Sequence, residues 1–198
     1  MTVDSARQAL FGDTLTCDEL RPAAFLPGVL DGAALASCNA RGEALLQSLA
    51  VVEDGMRGEE PEQPSDYALH RLEAKVDLLM ALVAGLCASQ DDDPMQPLQW
   101  SARGASLVIA APVPVGSTGR FRVRPSDWLP SPLVLPATVL ACDADAEAGT
   151  PANTHAGSGN QARVWLRFGP LSPALDAALE RHLFRVHRRA VAESRRPR

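Results

Sequence analysis

The chain has 198 residues, enough for one domain with an extension or for two small domains. Its formal charge of −5 argues against nucleic-acid binding by the whole surface. Cys17, Cys38, Cys87 and Cys142 form no C-x-x-C pair and have no His at a zinc-like spacing, so no metal knuckle is expected and the reducing cytoplasm is the natural compartment.

Residues 1–30 read as an N-terminal arm. Its start, MTVDSARQAL, lacks a basic segment leading into an apolar one, so no secretory signal is expected. Arg21 to Leu30 carries Pro22 and Pro27, which limits that stretch to extended chain or an edge strand. Residues 31–93 read as a helical extension. Leu35, Leu45, Leu46, Leu49 and Val52 place a first helix over about 33–54, weakened by Gly42. The segment 55–65, GMRGEEPEQPS, is a linker.

A heptad seam follows, on a helix over about 66–89 with Ser65 or Asp66 as N-cap. Leu69, Val76 and Val83 take the a positions; Leu72, Leu79 and Leu86 take d. Met80 and Cys87 stand at e and Leu82 at g, where a two-stranded coil usually carries charges. The apolar flanks widen the face that needs cover. Two partners would satisfy it: a copy of the same helix, or the chain's own first helix and following domain. The longest apolar run, Leu78 to Ala88, is too short to span a bilayer. Pro94 and Pro97 end the helix.

Beyond Leu98 the period changes from helix to strand. Residues 98–190 read as a small sheet or barrel closed by one helix. Arg120-Phe121-Arg122-Val123-Arg124 alternates cleanly, and Val164, Leu166 and Phe168 alternate with Arg163, Trp165 and Arg167. Leu133 to Cys142 is another strand, with Pro136 at an edge or bulge. Residues 143–161 read as a loop. Ser172-Pro173 is a helix start, an N-cap hydroxyl followed by Pro at the first helical position. Leu175, Leu179, Leu183 and Val186 form its stripe, with Ala178 and His182 beside it. Residues 191–198 are a basic tail. Residues 181–198 hold seven Arg against Glu193, leaving about −11 on the remainder of the chain. Such a tail could touch phosphates, anionic lipid or an acidic partner; the alternative is a solvated helix end.

No catalytic constellation is present. Gly157-Ser158-Gly159 lacks the spacing of a nucleophile elbow, and no phosphate loop occurs. His182 and His187 are five apart and do not share a helical face. Asp91-Asp92-Asp93 lacks the ordered spacing of a calcium loop.

Four segments carry a resemblance to a known family: QWSARGASLVIAAPVPVGSTGRFRV, LPATVLAC, ARVWLRFGPLSP and ALDAALERHLFRVHRR. Their order, and the lead-in Arg167-Phe168-Gly169-Pro170-Leu171-Ser172-Pro173 to an LxxxLExxLF helix, resemble the PilZ domain. The likeness implies an α+β fold: a small antiparallel PilZ-like β-barrel with a C-terminal helix. To this it adds a helical insertion whose heptad-repeat helix forms an inter-subunit coiled coil. Residues 1–30 would supply an early barrel strand.

PilZ domains that bind cyclic di-GMP usually carry an R-x-x-x-R loop motif and a D/N-x-S-x-x-G strand motif. Guanidinium groups pair with phosphate or guanine, and Gly lets the dinucleotide approach the backbone. Here the first motif is missing. Arg71 and Lys75 have its spacing but lie on the heptad helix, while Arg120/Arg124 and Arg163/Arg167 sit on strands. The second is altered, with Gln99 in place of Asp or Asn, while Ser101 and Gly104 remain. A remnant ligand site would consist of Gln99, Ser101, Arg103 and Gly104, with Arg120, Arg122 or Arg124 as replacement cations.

The chain also resembles an atypical, bacterial PilZ subclass with a heptad-bearing insertion, tetrameric assembly and no ligand motifs. That subclass is associated with cyclic di-GMP signalling and, in some pathogens, with virulence. The expected protein is a non-enzymatic, cytoplasmic assembly and signalling module with no cofactor. It would be a homotetramer through Leu69, Leu72, Val76, Leu79, Val83 and Leu86, with Met80 and Leu82, and would act on a signalling protein partner. The alternatives are a receptor binding cyclic di-GMP in a non-standard way, and a nucleic-acid binder using the Arg tail.

Overall fold

The computed structural model describes residues 1–56, 64–87, 93–129, 131–144 and 161–195. In chain order the elements are α1 (Val3–Phe11), β1 (Cys17–Pro27), α2 (Gly32–Met56), α3 (Pro64–Cys87), β2 (Met95–Ser101), β3 (Gly104–Ile109), β4 (Thr118–Val123), β5 (Leu133–Asp143), β6 (Ala162–Phe168) and α4 (Pro173–Ser194). The six strands close into a barrel in the order β1-β2-β3-β6-β5-β4, and β4 pairs back onto β1. Every pairing is antiparallel.

Period-2 alternation fills the interior. Leu98 and Trp100 of β2, Phe121 and Val123 of β4, and Val164 and Leu166 of β6 point inward and are buried. Leu45, Leu46 and Leu49 of α2 and Leu175, Leu179 and Leu183 of α4 join the same core. Gly42, which costs the α2 helix propensity, sits where a Cβ would lie 3.2 Å from Leu175 Cδ1 and 3.4 Å from Leu133 Cδ1. The weak position is thus one where the helix lies close against α4 and the barrel. Helix α4 begins with the Ser172 hydroxyl accepting from Leu175 N at 3.1 Å, with Pro173 behind it.

Residues 1–30, read from sequence as an arm with an early barrel strand, also hold a helix. They contain helix α1 as well as strand β1. That strand has no open edge, because barrel closure gives it two neighbours: residues 17–22 pair with β2 and residues 23–27 with β4. Pro22 falls at the handover and Pro27 at the last paired position, so their missing N–H groups fall where a ladder is ending. Pro136 lies the same way, one residue before β5 takes up β6, and the register shift in β5 comes between Val139 and Ala141. The barrel therefore draws on residues before and after the helical insertion, and β2 begins at Met95, ahead of Leu98. At the other end α4 runs on to Ser194, so half of the basic tail is helical. Most of the loop expected over 143–161 lies outside the described residues.

Helix α1 follows from Thr2, whose Oγ1 accepts from Ser5 N at 3.3 Å, and from Val3, Ala6 and Leu10 along one face. It packs on the outside of the barrel in a second cluster with Leu140, Ala141 and Trp165. Trp165 points out of the β6 ladder yet is only 6% exposed, because α1 covers it.

Candidate functional site

Two places carry the residues singled out from sequence: the outer face of β2 and β3, and helix α3. On the first, Ser101 and Gly104 are directly opposite one another across the β2–β3 turn, with exposed Arg103 between them. Gln99 is half-buried and faces Ser106. Ser101 is fully buried and its hydroxyl donates to the Leu10 carbonyl at 2.7 Å. The same oxygen accepts from Arg103 N at 3.1 Å. A Cβ on Gly104 would meet Leu166 O at 2.0 Å and Leu10 Cδ2 at 2.7 Å. The room that this glycine keeps free is filled by the Leu166 carbonyl of β6 and by Leu10 of α1, and the Ser101 hydroxyl is already committed to α1.

The Arg residues suggested as replacement cations lie elsewhere. Arg120, Arg122 and Arg124 belong to β4 and its exit, and β4 is separated from β2 and β3 by β1 on one side and by β5 and β6 on the other. Arg122 is held by Asp93, with Nε to Oδ2 at 3.1 Å. The guanidinium beside the motif comes from another strand. Exposed Arg167 on β6 is directly opposite Gly104. Only barrel register could have revealed this neighbour.

A polar chain runs from the barrel core out to the surface. Arg21 donates to Glu19 Oε1 at 2.8 and 3.0 Å and to Asp127 at 2.7 Å. Burial lowers the Arg21 pKa, but Glu19 and Asp127 more than offset it and leave the guanidinium above its ordinary value. Trp100 Nε1 donates to Glu19 Oε2 at 3.0 Å. The His182 ring packs edge-on to Trp100, with centroids 5.8 Å apart. Neither His182 nitrogen has a hydrogen-bond partner, and its pKa falls to about 3, chiefly from burial and then from Arg185, Arg21 and Arg189. Burial, then Glu19 and Asp18, raise the Cys17 thiol to about 11, so it is a core group and not a nucleophile. Among the described residues no cluster of His, Cys, Asp or Glu could hold a metal ion.

Helix α3 has two distinct faces. Ala74 and Leu78, at heptad positions f and c, are 6% and 4% exposed and form the side packed against the chain's own α2. The opposite face carries the seam. Leu69, Leu72, Val76, Leu79 and Val83 stand 57, 58, 46, 59 and 58% exposed, and Met80 66%. Leu82 and Leu86 lie on the same helix, but their side chains are outside the described ones. The hairpin is tied to α4 through buried Glu53, which meets Arg189 at 3.1 Å and Arg185 at 3.7 Å. Two of the seven Arg of the basic segment thus serve the fold.

The fold and these two faces define a class: a small closed antiparallel barrel interrupted by a helical hairpin and closed by a C-terminal helix. A family model described as the atypical PilZ domain, a cyclic di-GMP receptor, matches residues 46–196, and the chain belongs to this family. The structure is similar to a pathogenic protein from Xanthomonas campestris, described as a tetrameric PilZ domain self-assembled through an unusual helical bundle. The two are 40% identical over 96% of this chain and 97% of that one, with a TM-score of 0.70. No curated protein matches the chain. Among the described residues no helix is long and apolar enough to cross a membrane.

Proposed function

We propose that the chain is a non-enzymatic assembly and signalling module that forms a homotetramer through the a/d face of α3. Its barrels no longer take cyclic di-GMP in the usual way and act instead on a protein partner. One observation carries this reading: α3 satisfies its own chain with one face and leaves a continuous apolar seam on the other. A stripe of Leu and Val more than two-fifths exposed at every described a and d position is out of place on a helix that faces water. The Val-at-a, Leu-at-d pattern alone favours two strands, while Met80 at e adds apolar width suited to a higher number. The tetrameric description of the Xanthomonas protein, at 40% identity, supports the higher number.

Light scattering after size-exclusion chromatography tests the proposal. The intact chain should elute as a tetramer. Leu79→Asp should elute as a monomer with unchanged helix content, because Leu79 takes no part in the α2 contact. A monomeric parent overturns the reading.

A second reading, cyclic di-GMP bound in a non-standard way, is favoured by Arg167 opposite Gly104 with Arg103 nearby. Two guanidinium groups suit a dinucleotide's phosphates and guanines. Set against it is α1, which occupies the surface over Ser101 and Gly104. Titration calorimetry decides. Micromolar binding that Arg167→Ala weakens would install this reading, and no binding would retire it.

A further inference from the structure

Helix α4 buries its leucines but exposes its one phenylalanine. Leu175, Leu179, Leu183 and Val186 are at most 6% exposed, whereas Phe184 is 54% exposed. The Arg188 guanidinium lies over the Phe184 ring, 6.0 Å from its centroid. Both line a groove of about 680 Å³ between α4, the α1–β1 loop at Leu15, the end of α2 and the β2–β3 turn. Arg181 lines it as well. Among the described residues neither Arg181 nor Arg188 has a carboxylate partner, whereas Arg185 turns to Glu53.

The groove is not simply cationic. Asp13, Asp54 and Glu180 line it too, so three acids balance its three Arg. Duplex nucleic acid or an anionic bilayer would meet carboxylates along with guanidinium groups, and a polyanion gains little from such a lining. A peptide of mixed charge is matched by it. Aromatic rings and Arg are the residue types that carry most binding energy at protein interfaces. A guanidinium stacked on a ring is held in place, which lowers the entropy lost when it pairs with a carboxylate.

We propose that this groove is the docking site for a peptide segment of a partner protein. In that segment an apolar side chain lies on Phe184 and an adjacent carboxylate pairs with Arg188 or Arg181. Basic residues on either side would meet Asp13 and Glu180. The proposal rests on the reading that the protein works through a protein partner, and it names the surface and the chemistry that partner would bring.

A phage-displayed library of short linear peptides, selected on the intact protein, supplies the probe. Enriched peptides should place an apolar residue next to Asp or Glu. Their affinity by fluorescence anisotropy should fall roughly tenfold or more on Phe184→Ser and on Arg188→Glu. A peptide with that carboxylate changed to Lys should recover binding to Arg188→Glu, which a merely misfolded variant would not allow. Light scattering on the same variants should show the parent's oligomeric state. A changed state counts against the proposal, because Phe184 would then belong to the assembly interface. Peptides that bind both variants as well as the parent overturn this site while leaving the partner reading intact. If no peptide is enriched, both fall. Binding of a short DNA duplex or of phosphatidylglycerol vesicles that Arg188→Glu abolishes would assign the groove to a polyanion instead.

Discussion

Helices α1 and α3 both lie outside the barrel core, and both carry an apolar stripe. They differ in where the stripe goes. Ala6 and Leu10 of α1 are at most 1% exposed, on a barrel face formed by Leu140, Ala141 and Trp165, with Val3 and Phe11 partly buried beside them. Among the described side chains of α3 only Ala74 and Leu78 are buried, and the larger seam stays in the open. One stripe is completed by its own chain and the other is not. The difference teaches that an amphipathic pattern states a need for cover without naming what supplies it. The same surface distinction separates two fates for a PilZ barrel: α1 closes the face that holds the remnant motif, and α3 offers a face to another molecule.

The sharpest break of this comparison uses two adjacent residues. Leu78→Asp places a carboxylate in the buried α2 contact and should cost about 3–5 kcal/mol, loosening the hairpin even in a single chain. Leu79→Asp, one position on, should leave the chain folded and abolish assembly. Urea unfolding of both variants, beside light scattering, separates the faces. Equal destabilisation of dilute monomers by the two changes would mean the seam is packed within the chain. Next in size is Leu10→Ala, which removes the side chain lying on Gly104 and should cost about 3 kcal/mol. It should also let water reach Trp165, seen as a red shift in tryptophan emission, while the oligomeric state stays as in the parent.

Much of this was legible from residue order. The α3 seam, the Ser172-Pro173 start of α4 and the alternation in β4 and β6 are period signals backed by strong side chains, and the structure contains all of these elements. What was hidden depended on register and closure. Pro22 and Pro27 argue against an interior strand until the sheet closes and β1 changes partner between them. Helix α1 has nine residues and two fully buried side chains, too short a run to stand out by periodicity. Among the described side chains the packed face of α3 is written in one Ala and one Leu, far weaker than the seam opposite it. Arg167 and the β4 arginines have the same alternating pattern in sequence. Only the strand order puts Arg167 beside Gly104 and carries Arg120, Arg122 and Arg124 away.

A smaller, pH-dependent test concerns the cover that α4 provides. His182 is buried without a hydrogen-bond partner and keeps its neutral form down to about pH 3, against an ordinary value of 6.5. Between those values the unfolded chain takes up a proton that the folded chain refuses. Stability contributed by neutral His182 is therefore complete above pH 6.5 and is lost as pH falls, by at most about 1.4 kcal/mol per pH unit. Urea melts at pH 7 and pH 5 should show His182→Leu losing less stability over that interval than the parent. Equal losses would mean that His182 takes up its proton in the folded chain as readily as in the unfolded one.

The smallest expected effect bears most directly on the two fates of the barrel. Ser101 keeps the serine of the D/N-x-S-x-x-G strand motif, and here its hydroxyl donates to the Leu10 carbonyl at 2.7 Å. Ser101→Ala should cost only about 1 kcal/mol, the net worth of one buried hydrogen bond. If the motif has been turned over to holding α1, that loss should appear in thermal melts, with no change in cyclic di-GMP titrations and none in oligomeric state. Leu10→Ala combined with Ser101→Ala should then destabilise less than the two changes added together, because each already removes part of the same contact. Strict additivity would uncouple α1 from the motif. A titration signal in the parent that Ser101→Ala erases would make α1 a cover over a working site.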